Sequence, residues 1–276
     1  MMYAFIHIPK TAGSTVRAIL RRSFGPRHCD MRVASSQRSE DTWLGADDLR
    51  RARWIYPHLE GISGHRVTCF GGLEQVADLR FFTWVREPVK RFVSHFLYCY
   101  RGRLEICKPE NLKVFCADPF HCNMQTRWLG GTVRAEAAME MLEKRIGFVG
   151  MTEAFDESLV MFRRWLGRPA LDIAYARKNP CRGEVDWPIL SDPELRACIE
   201  NANREDVALY RHISERVFPR QKAAFGPALE TEVAEFRRRN KSFREPPDPV
   251  WARIKRDFLY KPLLHLPASS FEVKSA

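Results

Sequence analysis

The chain has 276 residues, 45% of them hydrophobic and 29% charged, a composition that argues against a disordered, collagen-like or coiled-coil protein. Its 45 Lys and Arg residues exceed its 34 Asp and Glu residues, and the net charge of +11 favours an anionic partner. Nucleotides, nucleic acids, acidic glycans and anionic lipids all fit such a charge. No apolar run approaches the length of a membrane-spanning helix.

The N-terminus and the cysteines bear on the cellular compartment. The chain enters a strand directly, without the basic and apolar regions of a signal peptide, so we expect a cytoplasmic protein. An upstream anchor missing from this sequence would instead place the domain in a Golgi-type lumen. The eight cysteines contain no C-x-x-C pair, which argues against a zinc ribbon or finger, and we expect reduced, mostly buried thiols.

Apolar runs and helical periodicity alternate along the chain. Strands are predicted at Tyr3 to Ile8, Leu59 to Gly64, Phe81 to Val85 and Gly147 to Met151. Helices are predicted from Gly13 to about Arg22, over 43–53, from Pro88 to about Arg101, from Glu153 to Leu166 and from about Asp192 to Phe218. This alternation predicts a P-loop-like α/β fold of three layers, with a central, mainly parallel sheet flanked by helices.

We divide the chain into two parts by composition. Residues 1–219 hold the alternating strands and helices and form the predicted domain. Residues 220–276 carry the basic cluster Arg237 to Lys241 and a proline-rich stretch, and we expect a basic, partly helical extension packed on or near the same domain. The basic cluster could guide an anionic acceptor, although a solvated helix face is the ordinary role of such a run.

The first motif lies where the first strand gives way to a helix, at Pro9 to Thr15. Backbone N–H groups at a helix N-terminus attract anions, Gly13 permits close backbone approach, and Lys10 adds a full positive charge. Ser14 and Thr15 add hydroxyl donors. The lysine precedes the glycine, unlike in a Walker A loop, which argues against a magnesium-dependent nucleoside triphosphatase. An ordinary turn with a solvated lysine is the alternative.

The second motif follows the strand that ends at Val85. Arg86 lies at the carboxyl end of this strand, where ligands of open α/β sheets bind, and Pro88 suits the first turn of the next helix. Ser94 lies about two helical turns further on, so the guanidinium and the hydroxyl could hold a second phosphate. We expect Lys90 and Arg91 to add a general positive field. A surface arginine beside a buried helix serine is the alternative.

Both motifs resemble the phosphate-binding segments of the carbohydrate sulfotransferases. Phe5 to Thr15 is similar to the family's 5′-phosphosulfate loop, and Val85 to Ser94 is similar to its 3′-phosphate segment. The Gly-His step at Gly64 and His65 looks like that of the heparan sulfate 2-O- and 6-O-sulfotransferase branch. Further similar segments are Asn123 to Leu129, Phe148 to Glu153 and Asn201 to Tyr210.

The resemblance implies transfer of a sulfuryl group from 3′-phosphoadenosine 5′-phosphosulfate (PAPS) to a carbohydrate or glycoconjugate hydroxyl, leaving adenosine 3′,5′-bisphosphate. It implies that Lys10 stabilises the leaving phosphate, that His65 is the general base, and that no metal is needed. The implied donor-binding residues are Lys10, Thr11, Ala12, Gly13, Ser14, Thr15, Arg86 and Ser94. Ser63 departs from the 2-O branch, which has a second histidine there, and this leaves the acceptor open.

Several polar residues are further candidates for the substrate or cofactor cleft. They are His7, Asn123, Gln125, Arg127, Glu153, Arg177 and Lys178. Each also has an ordinary interpretation: His7 as a core histidine, the residues from Asn123 to Arg127 as a helix surface, and Glu153 as a first-turn acid. Arg177 and Lys178 fit a basic loop near the nucleotide.

The sequence leaves two other functions open. One is a small-molecule kinase that uses ATP, and the other is a non-enzymatic module that binds an acidic polymer through its positive surface. For the sulfotransferase we expect a carbohydrate acceptor, charged or neutral, and no nucleic-acid partner. The sequence predicts neither the acceptor's identity nor the oligomeric state.

Overall fold

A computed structural model describes residues 2–33, 42–75, 78–100, 108–176, 191–247, 250–264 and 266. Five strands form one sheet in the order β2-β3-β1-β4-β5, and each neighbouring pair runs parallel. They are β1 (Met2–Ile6), β2 (His28–Asp30), β3 (Gly61–Gly64), β4 (Leu79–Val85) and β5 (Ile146–Met151). The predicted α/β fold with a parallel central sheet is confirmed. The short strand β2 was not predicted.

The sheet order brings three predicted motifs to one edge. β1 lies between β3 and β4, and Ile6 at its end pairs with Gly64 on one side and Thr83 on the other. The segments that follow these strands therefore begin side by side. From β1 the chain turns towards β2 and β3, whereas from β4 it turns towards β5. Such a reversal opens a crevice at the carboxyl ends of the strands, where α/β proteins bind ligands.

Helices cover the sheet and extend beyond it. The first seven are α1 (Gly13–Phe24), α2 (Ala46–Ile55), α3 (Pro88–Cys99), α4 (Pro109–Ala117), α5 (Met124–Gly130), α6 (Ala135–Lys144) and α7 (Phe155–Trp165). The next four are α8 (Pro193–Ala202), α9 (Arg204–His212), α10 (Phe218–Phe225) and α11 (Ala228–Asn240), and α12 (Val250–Ile254) and α13 (Lys261–Leu263) follow. Helices α4 to α6 were not predicted.

The predicted long helix from Asp192 to Phe218 is wrong in one respect, because it is interrupted. Asn203 separates α8 from α9, and its side-chain amide donates to the carbonyl of Ile199 at 2.9 Å. A π-helical turn at Ile213–Val217 then joins α9 to α10. Asparagine competes for backbone hydrogen bonds in this way, which favours helix ends over helix interiors.

The core lies on both faces of the sheet. Its centre is aromatic: Phe82 stacks on Phe5 with 5.1 Å between ring centroids, and Trp84 packs edge-on against Phe162 at 5.3 Å. A second cluster of buried apolar residues joins α3, α4 and α8. Because β1 and β4 are buried on both faces, the loops at their carboxyl ends start from fixed positions.

The segment after residue 219 shares the main core. Leu229, Val233 and Phe236 of α11 are buried in the same cluster as the sheet. Arg164 of α7 donates to Glu232 at 2.8 Å, at the surface of this contact. α11 therefore packs on the core of the sheet, while the division of the chain into a domain and an extension at residue 219 stays a prediction.

Candidate active site

The Lys10 loop forms a backbone cradle between β1 and α1. Lys10 and Ala12 have φ angles of 69° and 62°, in the left-handed region that few residues other than glycine adopt. The buried Thr11 between them donates its hydroxyl to the carbonyl of Ile8 at 3.0 Å, which fixes the turn. Backbone N–H groups that follow one another in such alternating conformations make an anion-binding concavity, here at the N-terminus of α1.

A histidine packs directly under this cradle. A Cβ atom placed on Gly13 would lie 1.9 Å from Cδ2 and 2.2 Å from Nε2 of His7, so no larger residue fits at position 13 without displacing the ring. His7 is buried, and its Nδ1 has no hydrogen-bond partner. Burial, followed by the neighbouring His65, holds the pKa of His7 well below its ordinary value. The ring is therefore neutral.

The Lys10 side chain leaves the cradle towards α3. Its Nζ lies 4.4 Å from the centroid of the Tyr98 ring, within the range of a cation–π interaction. Tyr98 is 47% exposed, so this contact lies at the surface of the cleft. The Lys10 ammonium group thus has a defined position beside the helix that carries Ser94.

Arg86 joins the second motif to the first. Its Nη1 donates to the backbone carbonyl of Lys10 at 3.4 Å, so both motifs face the same crevice. The buried Gln125 accepts from Arg86 N and donates to Arg86 O, each at 2.9 Å. These two hydrogen bonds from the Gln125 side chain hold the backbone of Arg86 in place. Ser94 is 6% exposed, on the inner side of α3.

His65 follows β3, on the other side of β1 from Arg86. Its Nδ1 lies 2.9 Å from the carbonyl of His7, and a carbonyl only accepts, so Nδ1 carries a proton and Nε2 keeps a lone pair. The two imidazole rings stack with 4.0 Å between centroids. A lone pair at Nε2 is what a general base requires.

The environment of His65 favours its neutral form. The residue is exposed, yet loss of hydration around the ring lowers its pKa to about 4, and the hydrogen bond to His7 opposes this shift. The positive charges of Arg17, Arg32 and Arg66 act in the same direction as the loss of hydration. His65 is therefore unprotonated over the physiological range.

Ser63 takes part in a buried network behind the base. Its hydroxyl donates to Asp30 at 2.5 Å and lies 3.1 Å from His28 Nε2. Burial alone would raise the pKa of Asp30, but hydrogen bonds from His28 and Arg17 and their charges lower it well below its ordinary value. The position that departs from the 2-O branch thus holds β2 and β3 together.

The candidates on α5 have structural partners. Asn123 Oδ1 accepts from the backbone of Glu205 at 3.1 Å and of Asp206 at 3.2 Å, which caps α9. Asp206 in turn accepts from Gln125 N at 3.1 Å and Thr126 N at 2.8 Å, which caps α5. Each of these two helices therefore supplies the cap of the other.

The remaining candidates have partners outside the Lys10 loop or lie outside the described residues. Arg127 donates to the carbonyl of Pro119 at 2.9 Å. Glu153 accepts from the backbone of Glu87 and from the Tyr210 hydroxyl, each at 3.0 Å, which links three segments of the cleft rim. Arg177 and Lys178 lie outside the described residues.

The expectation that Arg91 adds a general positive field is wrong. Arg91 is fully buried, donates to the carbonyl of His121 at 3.2 Å and lies 3.8 Å from Asp206. A guanidinium engaged in this way supports the junction of α3, α5 and α9. The exposed Lys90 remains a candidate for such a field.

Sequence reasoning missed an aromatic group beside His65. Trp43 precedes α2, Phe70 follows β3, and Trp128 lies on α5. Trp43 contacts both of the others edge-on, with ring centroids 5.4 Å from Phe70 and 5.6 Å from Trp128. No local sequence pattern indicates this group, because three separate segments supply it.

The thiols and acidic side chains of the described residues form no metal site. Among these residues six cysteines are free thiols, of which Cys29, Cys69 and Cys122 are buried. No group of three or more His, Cys, Asp or Glu side chains in that part of the chain is arranged to hold a metal ion. No described helix has the length and apolar character needed to cross a membrane.

The fold and the cleft define a parallel α/β protein in which the Lys10 loop and the Arg86 segment meet at the carboxyl ends of neighbouring strands. The family model of galactose-3-O-sulfotransferase matches residues 131–246. Mouse galactose-3-O-sulfotransferase 3 is 28% identical over 267 residues, which are 86% of this chain and 61% of the relative. Mouse galactosylceramide sulfotransferase is 29% identical over 279 residues, which are 87% of this chain and 62% of the relative. The chain is thus similar to carbohydrate sulfotransferases over most of its length.

These similarities confirm the family resemblance seen in the sequence. The two mouse relatives are named for galactose and galactosylceramide, and the heparan sulfate branch remains a prediction. The chain spans less than two thirds of the length of both relatives. The cytoplasmic location expected from the N-terminus gains no support from them.

Proposed function

We propose that the protein is a sulfotransferase that uses PAPS as donor and sulfates a hydroxyl of a galactose-containing glycan or glycolipid. The names of its relatives support the reaction and the acceptor class. The observation that carries the proposal is the contact between the two phosphate motifs. Arg86 reaches the Lys10 carbonyl at 3.4 Å, while His65 lies against the same strand from the other side.

The chain offers a fitting site for the donor. We assign the 5′-phosphosulfate to the backbone and side chains of Lys10, Thr11, Ala12, Gly13, Ser14 and Thr15, and the 3′-phosphate to Arg86 and Ser94. The left-handed backbone at Lys10 and Ala12 supports this assignment, because such backbone conformations before a helix N-terminus favour anion binding. When bound, PAPS supplies an activated sulfuryl group on a phosphate that leaves readily.

His65 and Lys10 have different roles in the proposed reaction. In the proposed step the acceptor oxygen forms a bond to sulfur while the bond from sulfur to the phosphate oxygen breaks. His65 Nε2 takes the proton of the acceptor hydroxyl, since its Nδ1 is already committed to the His7 carbonyl. Lys10 and the cradle stabilise the negative charge that develops on the leaving phosphate. The reaction needs no metal in this scheme.

Calorimetric titration tests the donor assignment. We expect adenosine 3′,5′-bisphosphate to bind much more tightly than ADP when magnesium is absent, because Arg86 and Ser94 recognise the 3′-phosphate. Transfer of labelled sulfate from PAPS to a galactosyl acceptor tests the reaction itself. Equal binding of the two nucleotides would contradict the donor site, and magnesium-dependent turnover of ATP would favour a kinase instead.

The location follows from the acceptor class. Galactose-containing glycans and glycolipids are modified in a Golgi-type lumen, and we propose that compartment for this protein.

The alternative of a non-enzymatic module that binds acidic polymers predicts that Lys10→Ala and His65→Ala leave polymer binding intact and that no sulfate is transferred.

A further inference from the structure

An arginine within cation–π range of two tryptophans borders the proposed base. The Arg66 guanidinium lies 5.4 Å from the centroid of Trp43 and 5.9 Å from that of Trp128. Trp43 and Phe70 are only partly buried, and Arg66 is half-exposed. A guanidinium carries five N–H donors, so an arginine that already has protein partners can donate to a ligand as well. We call Trp43, Arg66 and Phe70 the Trp43 platform.

The Trp43 platform is connected to His65 through Trp128 and through the chain at Arg66. Trp128 Nε1 donates to the His65 carbonyl at 2.6 Å, and Arg66 is the next residue in the chain. Leu44 N, beside Trp43, donates to the Arg66 carbonyl at 3.0 Å. The platform and the base are therefore held in one rigid unit, as a substrate-positioning surface must be.

The geometry of the reaction indicates what this surface contacts. In an in-line displacement the acceptor oxygen approaches sulfur from the side opposite to the leaving phosphate, and the base must reach that oxygen. The Lys10 cradle holds the phosphate side, so the acceptor ring belongs on the His65 side. Asn123 and Gln125, two of the candidates for the cleft, hold α9 and the Arg86 backbone.

We propose that the Trp43 platform is the acceptor subsite and binds a galactose-type pyranose ring, an assignment that rests on the proposed function. The C–H face of the sugar packs on the accessible parts of Trp43 and Phe70. Arg66 donates from its guanidinium edge to ring hydroxyls and places one of them at His65 Nε2. Aromatic walls with a few fixed polar groups are the usual construction of small-ligand sites.

Steady-state kinetics with a galactosyl acceptor test the subsite. We expect Trp43→Ala and Arg66→Gln each to raise the acceptor KM by about three- to tenfold, the size expected for one lost aromatic or polar contact. Binding of adenosine 3′,5′-bisphosphate should not change. Trp43→Phe should recover part of the acceptor affinity that Trp43→Ala loses. Such recovery would show that the effect of Trp43→Ala does not come from misfolding. Trp54→Ala is the matched control, because Trp54 is 57% exposed on α2 and belongs to neither site.

The outcomes separate this proposal from the one on which it rests. If the unaltered protein does not bind the bisphosphate, the donor assignment fails. If it binds the bisphosphate and transfers sulfate, but both variants keep the original acceptor KM, the subsite is wrong and the function stands. Saturation-transfer NMR with methyl β-galactoside and the bisphosphate gives a readout without turnover. A sugar signal that Trp43→Ala leaves unchanged would also overturn the subsite.

Discussion

The two sides of the cleft are built by different means. The Lys10 cradle is shaped by the backbone, through left-handed residues and the start of α1. The His65 side is shaped by side-chain and ring contacts from three segments, including the His7 carbonyl and ring and the Trp128 indole. A backbone cradle is a local property of one loop, whereas the base depends on distant neighbours. The two sides should therefore respond differently to mutation.

Replacement of the base should have the largest effect on turnover. We expect His65→Gln to lower kcat by about 10²- to 10⁴-fold, because no side chain then takes the proton from the hydroxyl of the acceptor. Binding of adenosine 3′,5′-bisphosphate should stay unchanged, as measured by calorimetry. His58→Gln, at an exposed histidine in the loop before β3, is the control and should leave kcat unaltered. A fall of less than tenfold for His65→Gln would exclude His65 as the base.

Loss of the cradle's charge should have the next largest effect. We expect Lys10→Met to reduce kcat by about 10²- to 10³-fold, since charge on the leaving phosphate loses its main side-chain partner. The backbone donors remain, so the variant should still bind the bisphosphate. Lys241→Met, at an exposed lysine after α11, serves as the matched control. Equal kcat for the two variants would remove Lys10 from the mechanism.

Replacement of Gln125 tests whether this residue positions Arg86 in the proposed donor site. Gln125→Leu leaves the backbone N–H and C=O of Arg86 without their partner, and we expect it to weaken bisphosphate binding by about five- to a hundredfold. The acceptor KM should not change. Arg127→Ala, two residues further along α5, should have little effect on either. If Gln125→Leu instead raised only the acceptor KM, the residue would belong to the acceptor site.

The pH profile should show the smallest effect, and its sign follows from the lowered pKa of His65. The neutral imidazole is the active form, so activity is present above the pKa and is lost as pH falls through it. We expect kcat/KM to stay flat from pH 8 to 6.5 and to decline only towards about pH 4. An acid limb with its midpoint at 6.5 or above would mean that His65 is not held neutral.

The motifs that could be predicted from the sequence are those formed by consecutive residues. The strand before Lys10 and the strand before Arg86 each show in one apolar run, and the parallel sheet then places them side by side. Asn123 and Gln125 were candidates for the cleft, with a helix surface as the alternative. Their partners are about 80 positions away, and no local pattern indicates a cap at that distance. Arg91 was misjudged for the same reason, since its burial depends on the packing of α3 against α5 and α9.

The mutual capping of α5 and α9 has a consequence for folding. Neither helix can satisfy its first N–H groups until the other is in place, so the two should form and open as one cooperative unit. Native-state hydrogen exchange should then show a common opening free energy for the amides of Thr126 and Asp206. A fragment limited to the family-matched residues 131–246 keeps Asp206 but lacks Asn123, and would lose this cooperativity.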